Sequence, residues 1–407
     1  MLATLIPLFD GDMKVCAYSI FTQMENSFLS PGSEGIGRLD GAALIPGLDI
    51  VNSVGANTLA EDQELFVEIN NINIFTDISA DCDPPHEKIV LLLDPSVTPD
   101  GSYLGRLGEL KKEGYKLAIR KLEIRQFESY REILKLMDYI LLDHSKINIT
   151  QAKIYFGKLF PRIRLCAVNV NTQEDYDKLT EDGGYNLYEG EFFRMPVTES
   201  DKEVAPLKAT YIELLNVVNS PDFDLTTAAD VIGHDTALVI SLLEMVNHMT
   251  RNSEITSVRH AAAMLGQKEL KRWINTAVTK ELCADKPSEI TRLSLMRAKF
   301  AENLAPLYGI GGLSAEVFLM GLFSILDIML DKPMAEALKS VQVSKNIEQA
   351  LIEGKGELYP ILEFVKEYED ASWHEVSRLL VLRDIAFDPV YDAYVGALKW
   401  YRDLLSV

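Results

Sequence analysis

The hydrophobic pattern of the chain changes near residue 196, and this change constrains the fold more than any other feature. Before it, short β-rich apolar runs alternate with amphipathic helical stretches, as in Ile89–Asp94 followed by Ser102–Gly114. Continuous apolar strands that alternate with helices predict a parallel sheet covered by helices. A repeat of roughly 25 residues is typical of a β/α barrel. From Leu207 onward nearly every segment has a helical pattern, so we predict a β/α barrel followed by an all-α domain.

We place the barrel at residues 1–197, a linker at 198–206 and the helical domain at 207–407. The linker is polar and charged and ends at Pro206, a composition typical of a connection between domains. We therefore expect the two halves to fold as separate units. Within the first half, Pro31–Gly55 is rich in glycine and small residues, which predicts a long loop or insertion.

Net charge and cysteine usage indicate which classes of partner and which cellular compartment to expect. The 407 residues carry 61 acidic and 40 basic side chains, for a formal net charge of −21. Such a field repels phosphate backbones and anionic lipid, so we predict neither nucleic acid nor a membrane surface as a partner. The four cysteines form no CxxC pair, and the N-terminus has no basic region before its short apolar stretch. Both features predict a cytoplasmic protein with reduced thiols.

The first half resembles EAL domains, the cyclic di-GMP phosphodiesterases, over essentially residues 1–196. The segments that carry the resemblance are Ala17–Gln23, Leu65–Asn71, Ile89–Pro99, Glu113–Glu123, Met137–Asp143, Leu165–Tyr176 and Gly183–Pro196. The resemblance implies a site at the strand ends where carboxylates and an amide hold two divalent metals. These metals would activate a water for attack on a phosphodiester.

Most of the family's functional positions hold side chains of another type in this chain. In chain order they are occupied by Ser19, Gln23, Asn70, Leu92, Arg120, Lys121, Leu141, Val168, Asn171 and Glu189. Asn70 matches the family's asparagine ligand. Leu92 occupies the position of a glutamate in the family. Asp94 lies two residues later, so the alignment of this strand with the family stays open by two residues. The resemblance therefore implies a degenerate site.

The paired metal-binding aspartates of the family fall on Arg120 and Lys121. At roughly 4 Å and an effective dielectric near 20, the repulsion between each pair of unit charges costs about 4 kcal/mol. We therefore predict that the chain is not an enzyme, with no catalytic residue, no metal and no cofactor. Two interpretations of the pair stay open. Both side chains extend into water, or they form a basic mouth that binds an anionic ligand or an acidic partner loop.

The second half resembles HDOD domains, helical relatives of the HD metal-dependent phosphohydrolases. Ala228–Asn247, Ile255–Trp273 and Phe318–Leu330 carry this resemblance. Where a catalytic relative has its histidine–aspartate pair, this chain has Ser324 and Ile325, so the resemblance implies no metal ligands.

The dipeptide His234–Asp235 also spells HD, but it lies at the start of a predicted helix and no second histidine pair accompanies it at helical spacing. Asp235 is predicted to cap that helix, because aspartate often accepts hydrogen bonds from the free N–H groups of a first turn.

Together the two halves resemble two-domain EAL–HDOD signalling proteins. We predict a non-catalytic signal-transduction protein that acts through protein–protein interaction, in a pathway related to cyclic di-GMP, motility or attachment. Its partners would be other signalling proteins, and whether it forms a homo-oligomer stays open. The alternative is a sensor that binds a nucleotide or another anionic ligand in the degenerate barrel mouth.

Overall fold

The computed structural model divides the chain into two compact units. The first comprises Met1–Met195 and Lys366–Val395, and the second comprises Pro196–Val365 and Gly396–Val407. The residues that the structure describes are 1–26, 28–29, 44–198, 206–220, 222–249 and 255–405. The expected linker therefore lies largely outside the described residues.

The first unit contains a closed barrel. Its eight strands are β1 (Leu2–Phe9), β2 (Val15–Gln23), β3 (Glu64–Glu68), β4 (Ile89–Leu93), β5 (Lys116–Arg120), β6 (Tyr139–Asp143), β7 (Arg164–Val168) and β8 (Leu187–Tyr188). Strand β1 is antiparallel to both of its neighbours, whereas β2 to β8 are parallel to one another. The predicted β/α barrel is confirmed, and the antiparallel first strand is a feature that the sequence pattern did not indicate.

Helices follow most of the parallel strands. In the first 195 residues they are α1 (Pro46–Val54), α2 (Ala56–Ala60), α3 (Gly101–Lys112), α4 (Arg131–Leu134), α5 (Ile149–Leu159) and α6 (Gln173–Asp182). The loop predicted over residues 31–55 is wrong for α1. Pro46 starts that helix without losing a hydrogen bond, and Leu48, Val51 and Val54 bury one face of it. Residues 31–43 lie outside the described part of the chain.

Alternation along the strands fills the barrel with apolar side chains. The buried interior cluster consists of Leu8, Ala17, Phe66, Val90, Leu92, Ala118, Tyr139, Leu141, Cys166, Val168 and Leu187. Successive side chains of a strand point to opposite faces, so every second residue points into the barrel. A barrel of this size is a packed core, and its chemistry is left to the strand ends.

The helical elements of the rest of the chain confirm the predicted all-α half. They are α7 (Pro206–Asn219), α8 (Leu225–Ile232), α9 (Thr236–Met249), α10 (Val258–Leu282), α11 (Ser288–Leu304), α12 (Ser314–Phe323), α13 (Leu326–Leu330), α14 (Met334–Ala337), α15 (Lys345–Glu348), α16 (Tyr359–Glu369), α17 (Trp373–Arg383) and α18 (Phe387–Leu405). At the start of α9, the Leu238 N–H donates to Asp235 Oδ1 at 3.0 Å, so Asp235 caps the helix as predicted.

Residues 366–395 cluster with the barrel, although the sequence analysis assigned them to the helical domain. The reason lies at the edge of β1, which pairs with β8 at Phe9 and Tyr188. At the other end of β1, the Tyr368 hydroxyl donates to the Ala3 carbonyl at 2.8 Å and accepts from the Ala3 N–H at 3.2 Å. A buried strand edge needs such partners for its polar groups. The C-terminal segment therefore completes the barrel unit.

No helix within the described residues is both long enough and apolar enough to cross a lipid bilayer.

Candidate functional site at the barrel mouth

The carboxyl ends of the parallel strands form the mouth of the barrel, where barrel enzymes place their chemistry. Arg120 is the last residue of β5 and Lys121 follows it, while Glu189 directly follows β8. Ser19 lies in β2 and is fully buried. Of the positions taken from the EAL resemblance, Ser19, Arg120 and Glu189 come together here.

Three other positions belong to the barrel core. Leu92 and Leu141 are each 2% exposed and Val168 is 8% exposed, and all three lie in the interior apolar cluster. Their side chains have no atom that could bind a metal or a phosphate. They therefore contribute packing to the site and no polar contact.

Arg120 is held by residues of its own barrel. Its Nη1 lies 3.4 Å from Glu68 Oε1, and its guanidinium carbon lies 4.7 Å from the centre of the Phe21 ring. The Arg120 side chain is 15% exposed. An ion pair combined with stacking on an aromatic ring fixes the planar guanidinium in one orientation. Arg120 is therefore not the solvated strand-end charge that one of our two interpretations expected.

Glu189 is a second carboxylate close to Arg120. It is buried, and its Oε2 accepts a long hydrogen bond of 3.4 Å from the Ser19 hydroxyl. Burial raises the pKa of Glu189, and the nearby Arg120 charge opposes that rise. Burial likewise raises the pKa of the partly buried Glu68, against the opposing charges of Arg120 and Lys121. One arginine thus lies within the electrostatic reach of two carboxylates.

Lys121 differs from Arg120 in its surroundings. It is exposed, and its φ of 61° places it in the left-handed region of backbone conformation. Non-glycine residues adopt this conformation infrequently. The turn that follows β5 therefore directs the two adjacent cations into different environments.

Asn70, the match to the family's asparagine ligand, uses its side chain inside a turn. Its Oδ1 accepts hydrogen bonds from the backbone N–H groups of Ile72 at 2.8 Å and Asn73 at 2.9 Å. The Asn70 N–H in turn donates to Asn73 Oδ1 at 2.7 Å. This pair of reciprocal bonds shapes the loop after β3.

Two more positions also make local contacts. Gln23 Nε2 donates to the Ser377 hydroxyl at 3.2 Å, on the C-terminal segment of the same unit. Asn171 Oδ1 accepts from the Glu191 N–H at 3.4 Å. Both side chains therefore fix loops or helices around the mouth.

The residues present do not fit the two divalent metals that the EAL resemblance implies. The cationic Arg120 side chain stands beside Glu68 and Glu189, where it repels a metal ion. Within the described ranges, no group of three or more histidine, cysteine, aspartate or glutamate side chains is arranged to hold a metal. Among the described residues, the mouth therefore lacks the ligand set that a two-metal reaction requires.

Sequence reasoning missed Glu68 and Phe21, the two residues that hold Arg120. Strand alternation carries the signal for both, because Glu68 lies two residues after the buried Phe66 and Phe21 lies two residues after Ser19. Side chains two apart on a strand share a face.

In the helical unit, the two positions of the lost HD pair are part of the core. Ser324 Oγ accepts from Arg297 Nη1 at 3.2 Å and donates to the Gly321 carbonyl at 2.7 Å. Ile325 is 3% exposed. These contacts are those of a packed helix junction between α12 and α13.

Residues 204–353 match the family model of the HDOD domain. This confirms the HDOD resemblance for that part of the helical half. The matched region covers less than half of the chain, and it ends before the C-terminal segment that clusters with the barrel.

Two curated relatives align with most of the chain. An uncharacterized protein, YuxH of Bacillus subtilis, is 27% identical over 411 residues, which is 98% of each chain. The protein named cyclic di-GMP phosphodiesterase CdgJ, from Vibrio cholerae, is 26% identical over 325 residues, covering 79% of this chain and 74% of that one. Among solved structures, the EAL-like domain protein YdiV is 14% identical, with a TM-score of 0.37 over 46% of this chain and 89% of that one.

The match to CdgJ corrects one prediction. We predicted that the chain is not an enzyme, yet a relative that aligns with 79% of it is named a phosphodiesterase. That prediction rested on individual ligand positions. The alignment with a protein named a phosphodiesterase, along most of the chain, contradicts the prediction.

Proposed function

We propose that this chain acts in cyclic di-GMP signalling and that it does so by binding another signalling protein. The observation that carries the proposal is the alignment with CdgJ, a protein named for cyclic di-GMP. The alignment spans 325 residues, which is more than either compact unit contains. It therefore includes parts of both the barrel unit and the helical unit.

Two features of the molecule support binding as the mode of action. The arginine at the barrel mouth is engaged by Glu68 and Phe21 and is only 15% exposed. Outside the mouth, Ile154 and Leu159 are exposed at 55% and 40% and line one groove with a volume of about 370 Å³. Exposed apolar groups are a feature of surfaces that bind other proteins.

Hydrolysis of cyclic di-GMP is the second candidate, and the name of the relative CdgJ favours it. A two-metal mechanism would need ligands that the described mouth residues do not provide. The assay is direct: the purified full-length chain is incubated with cyclic di-GMP and Mg²⁺ or Mn²⁺, and the products are separated. Turnover that Glu68→Gln and Glu189→Gln abolish would establish this candidate.

Partner binding is tested by cross-linking the chain in its native host and reconstituting the complex from purified proteins. The proposal expects saturable binding with a Kd at or below about 10 μM, a range common for signalling complexes. It also expects that the partner's activity or cyclic di-GMP response changes in the complex. A cross-linked protein that neither binds in purified form nor responds would contradict the proposal.

A further inference from the structure

Helix α5 has an apolar outer face that the barrel does not cover. Its inner face buries Ala152 and Phe156, as expected for a helix that packs on a sheet. On the outer face, Ile154 is 55% exposed and Leu159 is 40% exposed. A surface helix normally carries polar residues there, so two branched apolar side chains in water are an unexplained cost.

The outer face is shaped as a shallow groove along the helix. A cavity of about 370 Å³ is lined by Gln151, Ile154, Tyr155, Lys158 and Leu159. These residues follow the spacing i, i+3, i+4, i+7 and i+8, which is the seam through which one helix packs against another. The Tyr155 hydroxyl donates to Glu128 Oε1 at 3.1 Å, and this bond restrains one wall of the groove.

The stretch of chain that contains α5 has a charge opposite to that of the whole protein, and Glu128, which contacts the groove through Tyr155, is itself paired with Arg131 at 3.8 Å. Residues 144–173 contain no aspartate or glutamate, in a sequence with 61 acidic side chains and a net charge of −21. The same stretch contains five basic side chains, namely Lys146, Lys153, Lys158, Arg162 and Arg164. A basic stretch on an acidic protein produces a local field that attracts negative groups.

Three of the five cations have partners inside the molecule. Lys146 pairs with Asp143 at 2.6 Å, Lys153 donates to the Asp182 carbonyl, and Arg164 stacks on Tyr139. The other two are exposed and have no hydrogen bond or ion pair among the described residues. They are Lys158, which lines the groove, and Arg162, which follows three residues after the end of α5.

We propose that the outer face of α5 binds an amphipathic helix of a partner protein whose apolar stripe is bordered by aspartate and glutamate. Ile154 and Leu159 supply the apolar seam, and Lys158 and Arg162 supply the complementary charge. This inference rests on the proposed function as a protein-binding chain, and it names the surface and the chemistry of the partner.

The charge distribution favours this partner over the alternatives. A second copy of the chain would bring together two molecules of net charge −21, which repel each other. An extended polyanion, such as nucleic acid or an anionic membrane, is repelled by the negative charge of the whole molecule. A short acidic helix is attracted mainly by the basic side chains beside it, because charges beyond about 8 Å are screened at physiological salt.

The test uses two synthetic helical probes of about 18 residues, which span roughly 27 Å. Both have leucine at i, i+3, i+4 and i+7, and the stripe is bordered by glutamate in one probe and by lysine in the other. Binding to the full-length protein is followed by fluorescence anisotropy. We expect the glutamate-bordered probe to bind at least about tenfold more tightly than the lysine-bordered probe.

Two variants and two matched controls locate the binding surface. Lys158→Glu with Arg162→Glu should weaken the glutamate-bordered probe at least about tenfold and improve the lysine-bordered one. The control Lys112→Glu with Lys178→Glu changes the net charge equally, at exposed lysines of α3 and α6.

For the apolar seam, Ile154→Ser with Leu159→Ser should abolish binding of both probes. The control Val381→Ser with Leu382→Ser removes exposed apolar groups from α17 and should leave binding within about twofold.

Equal affinity of the protein for both probes would overturn the proposal. So would a loss of affinity in the charge control, Lys112→Glu with Lys178→Glu, as large as that in Lys158→Glu with Arg162→Glu. Self-association in sedimentation velocity that Ile154→Ser with Leu159→Ser abolishes would assign the face to a second copy instead. Binding to anionic vesicles that requires Lys158 and Arg162 would assign it to a membrane. If the probes fail but the native-host partner still binds, the proposed function stands and this surface is the wrong one.

Discussion

At the scale of single residues, Arg120 determines the charge and the contacts at the barrel mouth. Its guanidinium lies beside Glu68 and on the face of Phe21, with the buried Glu189 within electrostatic reach. The sequence placed Arg120 at a strand end, because the apolar run before it identifies β5. Strand alternation places Glu68 on the same face as Phe66, but it does not indicate that Glu68 meets Arg120, which lies 52 residues away in sequence.

The first prediction concerns stability. Arg120→Ala leaves two carboxylates without their nearest cation and should lower the free energy of unfolding by about 2 kcal/mol. This is less than the roughly 3–5 kcal/mol of a fully buried pair, because Glu68 remains 40% exposed. Urea denaturation measures the change. A double-mutant cycle with Glu68→Gln should show coupling between the two positions, and additive losses would contradict the pairing.

The second prediction is the pH dependence of that loss. The pKa values of Glu68 and Glu189 are already raised in the folded protein, and removing Arg120 raises them further. A glutamate with a raised pKa in the folded state favours folding when protonated, and that contribution is lost as pH rises through the folded pKa. Arg120→Ala should therefore cost less stability near pH 5 than near pH 8. An equal cost at both pH values would show that the carboxylates do not depend on Arg120.

At the scale of elements, the sequence pattern predicted the strands from β2 onward and the helical half, but neither β1 itself nor its direction. An apolar run such as Leu2–Phe9 contains no signal for the direction of its neighbours, whereas the helices between later strands require parallel pairing. The continuous apolar run over residues 317–330 likewise contains no signal for the break between two helices, α12 and α13, at Ser324 and Ile325.

The third prediction concerns the contact between α11 and α12. A Cβ on Gly321 would lie 2.6 Å from the Ala298 Cα atom, a distance that requires backbone movement. Gly321→Ala should therefore destabilise the protein by about 2 kcal/mol or more. The matched control is Gly108→Ala in α3, where an added Cβ meets nothing within 4 Å, and there we expect a gain of up to about 1 kcal/mol. Thermal unfolding compares the two, and equal effects would contradict the close approach.

At the scale of the whole molecule, the return of residues 366–395 to the barrel unit was not predictable from local patterns. It depends on contacts between positions far apart in sequence, such as Tyr368 with Ala3 and Arg194 with Glu369 at 3.4 Å. Helical periodicity is the same whether a helix packs on other helices or on a barrel. The linear division at residue 197 therefore assigned this segment to the wrong unit.

The fourth prediction follows from that return. A chain shortened to residues 1–197 lacks the partners of Ala3 and Arg194 and should unfold at a lower temperature than the barrel unit of the full-length protein. Joining residues 366–395 to it through a flexible linker should restore stability. Tyr368→Phe in the full-length chain should cost about 1–2 kcal/mol, against a smaller change for Tyr155→Phe, whose side chain is only partly buried. A shortened chain as stable as the joined one would contradict the assignment.

Deletion of the chain in its native host, with attachment or motility scored at controlled cyclic di-GMP levels, tests whether the chain acts in cyclic di-GMP signalling through a partner. For a chain with this role, we expect deletion to change the response to cyclic di-GMP and the wild-type chain to restore it. This role also requires that deletion have no further effect once the gene for the cross-linked partner is removed. A response that is unchanged by deletion, or a deletion effect that persists without the partner, would contradict it.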